Sequence, residues 1–152
     1  MNKKLFSMGL ALVLGASYSL TAFSQAKPEV LVGQRQAAMK LQGKYWGPLS
    51  AMAQGKAPYD AAVVARNAAY LDVLDKMPWD GFNPSTKDVK SAALPAVYDE
   101  PAKFKEAQER LQSEVSKLVA VSKSGDEAAV KAQLGATGKA CGGCHETFRE
   151  KQ

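Results

Sequence analysis

From residue 28 onward, apolar side chains recur at intervals of three and four, the repeat of one face of an α-helix. Pro28 suits a first helical turn, and Leu31, Arg35, Ala38, Met39, Gln42, Trp46 and Leu49 predict a helix over residues 28–54. Gly47 and Pro48 fall inside it, and an interior proline removes one backbone hydrogen bond, so a kink is expected there. Gly55 ends the helix. Asp60 caps a second run carrying Val64, Ala68, Leu71 and Leu74, which stops at Pro78. After Pro101 the repeat returns with Phe104, Ala107, Leu111, Val115, Leu118 and Ser122, and Gly125 closes it as a helix C-cap. Asp126 then caps a fourth helix whose inward stripe is Val130, Leu134, Thr137, Cys141, His145 and Phe148.

Between Pro78 and Glu100 the pattern dissolves into Pro78, Gly81, Asn83, Pro84, Ser85 and Pro95. A connection of that length in a small domain is expected to have a purpose, such as wrapping a bound group. No run of alternating Val, Ile or Thr follows the first 24 residues, so nothing predicts a sheet. Segments of about 20 residues span roughly 30 Å as helices. With short links inside the first and last pairs, they predict an all-α, antiparallel up-down-up-down four-helix bundle with a long loop between the second and third helices.

The first residues follow different rules. Asn2, Lys3 and Lys4 make a positive start, Leu5 to Leu14 is apolar, and small polar residues come next, the pattern of a cleaved secretory signal. Ala22 and Ser24 place cleavage after Ser24, giving a signal over residues 1–24 and a four-helix-bundle domain over 25–152; Ser24 and Ala26 form a second acceptable pair. The uncharged stretch is long enough to be a retained anchor, but Ser7, Ser17, Ser19 and Thr21 weaken that alternative. Losing Lys3 and Lys4 lowers the basic count from 20 to 18 against 15 acids, so the net charge of +5 falls to +3. With no Lys/Arg cluster or interleaved aromatics, nucleic-acid binding has no support, and no membrane association is expected after cleavage.

Composition narrows the chemistry further. Two Cys exclude a multi-bridge disulfide scaffold, and two Cys with one His cannot supply four ligands to a Cys/His zinc site. What they form instead is Cys141-Gly142-Gly143-Cys144-His145, the C-x-x-C-H spacing of covalent c-type haem attachment. Two thiols three residues apart can add to the two vinyl groups of one porphyrin, and the adjacent His145 offers an imidazole to its iron. Attachment needs an oxidising, extracytoplasmic destination, and the signal segment supplies one independently. A thioredoxin-type dithiol would expect a βαβ setting and a motif at a helix start. A structural disulfide would close too short a loop to hold distant helices together.

Beyond this motif the chain resembles cytochrome c′, a high-spin class of c-type cytochrome. The likeness is carried by Lys27-Pro28-Glu29, Arg35-Gln36 with Met39, Ala57-Pro58-Tyr59-Asp60, Pro78-Trp79 with Phe82, and His145 followed by Phe148-Arg149. The resemblance implies one haem c per chain, attached through Cys141 and Cys144, with His145 as the only protein ligand to iron. Met39 is then expected to cover the opposite face, Arg35 to lie near a propionate, and Arg149 to sit beside His145. Trp79 and Phe82 are expected to pack on the haem from the long loop, with Phe148 nearby. It also implies a periplasmic homodimer formed through the first two helices.

The expected function is binding of nitric oxide, and more weakly carbon monoxide, by a high-spin five-coordinate iron that also exchanges one electron with an unknown redox partner. Oxygen is disfavoured because an apolar cover around Met39 offers no hydrogen-bond donor. The alternative is a low-spin electron carrier of the same bundle family in which the Met39 thioether ligates the iron. Enzymatic chemistry such as a peroxidase reaction is not expected, since the only His is already assigned to the proximal position.

Overall fold

The computed structural model describes residues 26–151, so the signal expected over residues 1–24 lies outside the described residues. Helices α1 (Pro28–Ala53), α2 (Ala61–Leu74), α3 (Ala96–Asp99), α4 (Pro101–Val121) and α5 (Glu127–Phe148) follow in order, α3 being a single turn. Their ends have local causes. Pro28 and Pro101 occupy the first turns of α1 and α4, where a missing N–H leaves no partner unsatisfied. The Asp60 carboxylate accepts from the Ala62 and Val63 N–H groups at 2.9 and 3.0 Å, and that of Asp126 accepts from Ala129 at 3.0 Å. Gly55 and Gly125 have φ of 69° and 75°, the left-handed region in which glycine releases the chain from a helix without strain.

Helix α1 continues through Gly47 and Pro48, inside the range 28–54 expected for it, and Leu49 just beyond is fully buried. One detail differs from the sequence reading. Leu31 is only half-buried while its neighbour Val32 is buried, which rotates the start of the inward stripe by one residue.

Leu49, Val64, Ala68, Val115, Leu118, Val130 and Leu134, each at most 1% exposed, form the core. Burial of a Val or Leu side chain contributes roughly 1.5–3 kcal/mol. Helix α1 packs against α2 and α5, and α4 packs against the same two, so the four long helices close into a ring. With links as short as residues 54–60 and 122–126, neighbours run antiparallel. This is the expected all-α four-helix bundle. Among the described residues there is no strand, only an isolated antiparallel bridge between Ala93 and Arg149.

The connection between α2 and α4 is more ordered than its sequence suggests. It contains single 3-10 turns at Trp79–Phe82 and Pro84–Thr86 and then α3. Arg35 of α1, buried to 3% exposure, fastens it to the bundle. Its guanidinium donates to the Gly81 carbonyl, to Thr86 Oγ1 at 3.2 Å, to the Tyr98 hydroxyl at 3.1 Å and to Ser91 Oγ at 2.7 Å. It also lies 4.4 Å above the Phe82 ring. A planar fork of donors can serve four acceptors in this way, and a lysine could not. Close contact requires Gly81: a Cβ there would lie 2.7 Å from the Leu31 carbonyl oxygen and 2.8 Å from Arg35 Cβ. At its far end the connection is clipped to the end of α5 and the residues after it, with Leu94 N–H donating to Phe148 O at 3.0 Å and Glu150 N–H to Ala92 O at 2.8 Å.

Candidate functional site

Residues spaced by three and four on a helix share a face, so α5 presents Cys141, Cys144 and His145 together. They line a cavity of about 560 Å³. Its other walls come from every long helix and from the connection. Helix α1 supplies Arg35, Met39, Gln42 and Trp46, the end of α2 supplies Leu71 and Asp75, and α4 supplies Phe104, Leu111 and Val115. Trp79, Phe82 and residues 91–93 enter from the connection, and Phe148 and Arg149 complete the α5 wall. All nine residues singled out from the sequence therefore meet in one cavity.

Sequence reasoning passed over Phe104 and Asp75. Phe104 stands at the centre of an aromatic group, with ring centroids 5.9 Å from Trp79, 4.9 Å from Phe82 and 5.1 Å from Phe148. It joins the connection to α4 and α5, and its place at the head of the α4 stripe was the available signal. Asp75 lies four residues after Leu71, hence on the apolar face of α2 continued by one residue. Arg35, expected near a propionate, does line the cavity, but it also has the fastening role described above.

The electrostatics separate the alternatives for the two thiols. Burial, with a smaller contribution from neighbouring Cys144, pushes the Cys141 thiol up to about 11, and burial also raises Cys144. A reactive dithiol needs a lowered value near a helix N-terminus or a cation, whereas these sit in the last two turns of α5. Nor are the two joined in a disulfide. Partial burial and then the Arg149 guanidinium hold His145 below the ordinary histidine value, which favours the neutral, ligating imidazole.

Among the described residues no three His, Cys, Asp or Glu side chains converge to hold a metal ion. A lone imidazole beside two thiols in a large, mainly apolar cavity therefore suits a metal that brings its own macrocycle. A family model described as Cytochrome C' matches residues 30–149. The chain belongs to the cytochrome c′ family. It is 45% identical over 126 residues to cytochrome c′ of Rubrivivax gelatinosus, covering 82% of this chain and 98% of that one. The crystal structure of the Rubrivivax protein superposes with a TM-score of 0.76 over the same shares of the two chains. Two variants of cytochrome c prime from Alcaligenes xylosoxidans, one a nitric oxide complex and one with carbon monoxide bound, are each 36% identical with a TM-score of 0.75. Each match covers 83% of this chain and 98% of the other.

The cytochrome c′ family carries covalent haem c, and the residues of this cavity fit it: Cys141 and Cys144 for the thioether links, His145 for the iron. Bound there, haem supplies an iron that changes oxidation state and accepts small ligands. Among the described residues, no helix is long and apolar enough to cross a membrane.

Proposed function

We propose that this chain is a periplasmic haem protein in which His145 is the only protein ligand, leaving a high-spin five-coordinate iron that binds nitric oxide and carbon monoxide and exchanges single electrons. The observation that carries this reading is the convergence of the attachment motif and Met39 on one cavity. Cys141 and Cys144 fix the cofactor's edge, and His145 approaches from the same helix. Met39 covers the sixth position without binding it. Several polar groups of the wall are already committed: Arg35 to the connection, Gln42 Nε2 to Leu74 O at 3.0 Å, and Trp79 Nε1 to Asp75 O. That commitment disfavours oxygen, which binds best with a distal donor. The gas-bound Alcaligenes relatives support the ligand choice. The signal read over residues 1–24 supports the location, and the absence of a second His supports a binding role over an enzymatic one.

Replacing Met39 with Ala tests the reading. The ferric spectrum is expected to stay high-spin, and carbon monoxide association to quicken by on the order of tenfold as an obstacle of about 1.4 kcal/mol is removed. A low-spin ferric wild type that turns high-spin on the same substitution would make Met39 a ligand and the protein a His/Met electron carrier. Dimerisation through α1 and α2 is supported by Leu41, Tyr70, Val73 and Met77, which are 43–55% exposed, and by Tyr45, which packs on Tyr70 with centroids 4.7 Å apart. Trp46 instead turns inward against Gly138 of α5. Sedimentation at micromolar concentration should show a dimer, and a monomer there would rule this contact out.

A further inference from the structure

The cavity wall contains one polar group that the proposed function leaves unused. Asp75 is 1% exposed, and neither of its carboxylate oxygens has a hydrogen-bond partner. Its backbone is fixed: the carbonyl accepts from Trp79 Nε1 and from Gln112 Nε2, the latter at 3.3 Å. A buried unpaired carboxylate is among the costlier arrangements in a protein, and it avoids that cost by keeping a proton. Position adds to the effect. Asp75 is the C-cap of α2, where the partial negative charge of the helix end opposes an anion. Burial, its largest perturbation, raises its pKa to about 7; Lys76 lowers it and Asp72 raises it by lesser amounts.

We propose that Asp75 is a redox-linked proton site, taking up one proton from solvent as haem held by Cys141, Cys144 and His145 gains one electron from a one-electron reductant. The inference rests on the cofactor reading above. The balance is simple: the electron lowers ferric to ferrous iron, the proton converts the Asp75 carboxylate to the acid, and reoxidation releases both. The driving force is Coulombic. Removing a positive charge from a poorly screened cavity makes an anion in its wall less favourable. Other charges around the cavity are accounted for. Arg35 is committed to the connection, Lys40 stands at the exposed rim, and Arg149 and His145 lie on the α5 wall. From α4 the side chains lining the cavity are the uncharged Phe104, Leu111 and Val115, and Gln112 contacts the Asp75 carbonyl.

The test is a potentiometric titration of the holoprotein between pH 5 and 9, with dithionite as reductant, on wild type and the near-isosteric Asp75→Asn. Wild type should show a midpoint potential that falls with pH around neutrality, approaching a tenfold change in the redox equilibrium per pH unit, or about 59 mV for one electron. The variant should be flat over the same interval. Reduced-minus-oxidised infrared difference spectra add a readout that needs no variant: the wild type should gain a protonated-carboxyl band on reduction. That band should shift when aspartate is supplied with a 13C-labelled carboxyl, which leaves haem propionates unlabelled. An unchanged pH slope in Asp75→Asn, or a band insensitive to the aspartate label, overturns the proposal. Absence of any haem redox wave would overturn the cofactor reading, and this inference with it.

Discussion

Two of the connections between antiparallel helices in this molecule are built on opposite principles. Between α4 and α5 the chain turns within residues 122–126, using Gly125 and the Asp126 cap, and local contacts finish the hairpin. Gln133 Nε2 donates to the Glu114 carbonyl at 3.0 Å and to its carboxylate at 2.6 Å, and Thr137 Oγ1 reaches the same carbonyl at 3.3 Å. Between α2 and α4 the chain takes residues 75–100, and the groups that hold it come from far away in sequence, Arg35 and the Phe148–Glu150 segment. The short connection makes the bundle. The long one makes a wall of the cavity.

Substitutions can break or sharpen this division. The largest effect is expected from Leu118→Ala, a fully buried α4 residue whose truncation should cost about 3 kcal/mol, read as a fall in the urea midpoint at unchanged slope. Arg35→Leu should cost about 2 kcal/mol, because four acceptors lose a charged donor while Thr86 Oγ1 still reaches Gly81 O and Tyr98. Its mark should be local: proteolytic cleavage within residues 78–100 while helical circular dichroism is retained. If Arg35→Leu melts the helices as completely as Leu118→Ala does, the connection belongs to the folding unit and the division fails. Asp126→Ala should be the mildest, about 1 kcal/mol from a lost N-cap, with residues 78–100 still resistant to protease.

The same division explains what could be foreseen from the sequence. A helix announces itself through neighbours three and four residues away, so the α2, α4 and α5 stripes gave their core residues directly. The attachment motif is equally local, and Cys141, Cys144 and His145 needed only α5 to bring them together. Arg35 was recognised as a residue of the cavity, but its bonds to Gly81, Thr86, Ser91 and Tyr98 cross 46 to 63 positions and leave no periodic trace. Short turns such as Trp79–Phe82 were hidden for a related reason, since they are stabilised by what they touch rather than by their own composition. Asp75 escaped attention because an acid at a helix end looks solvated until tertiary packing shields it.

The clip that joins Ala93 to Arg149 also decides where a probe on Lys151 would stand. Arg149 lines the cavity, and Lys151 is only two residues further on, a span of at most about 7 Å even when extended. A redox group or an electrode linker attached by a short tether to the Lys151 side chain would be held beside the cavity. Electron tunnelling falls steeply with distance, so this position is a natural point for wiring the protein into a circuit.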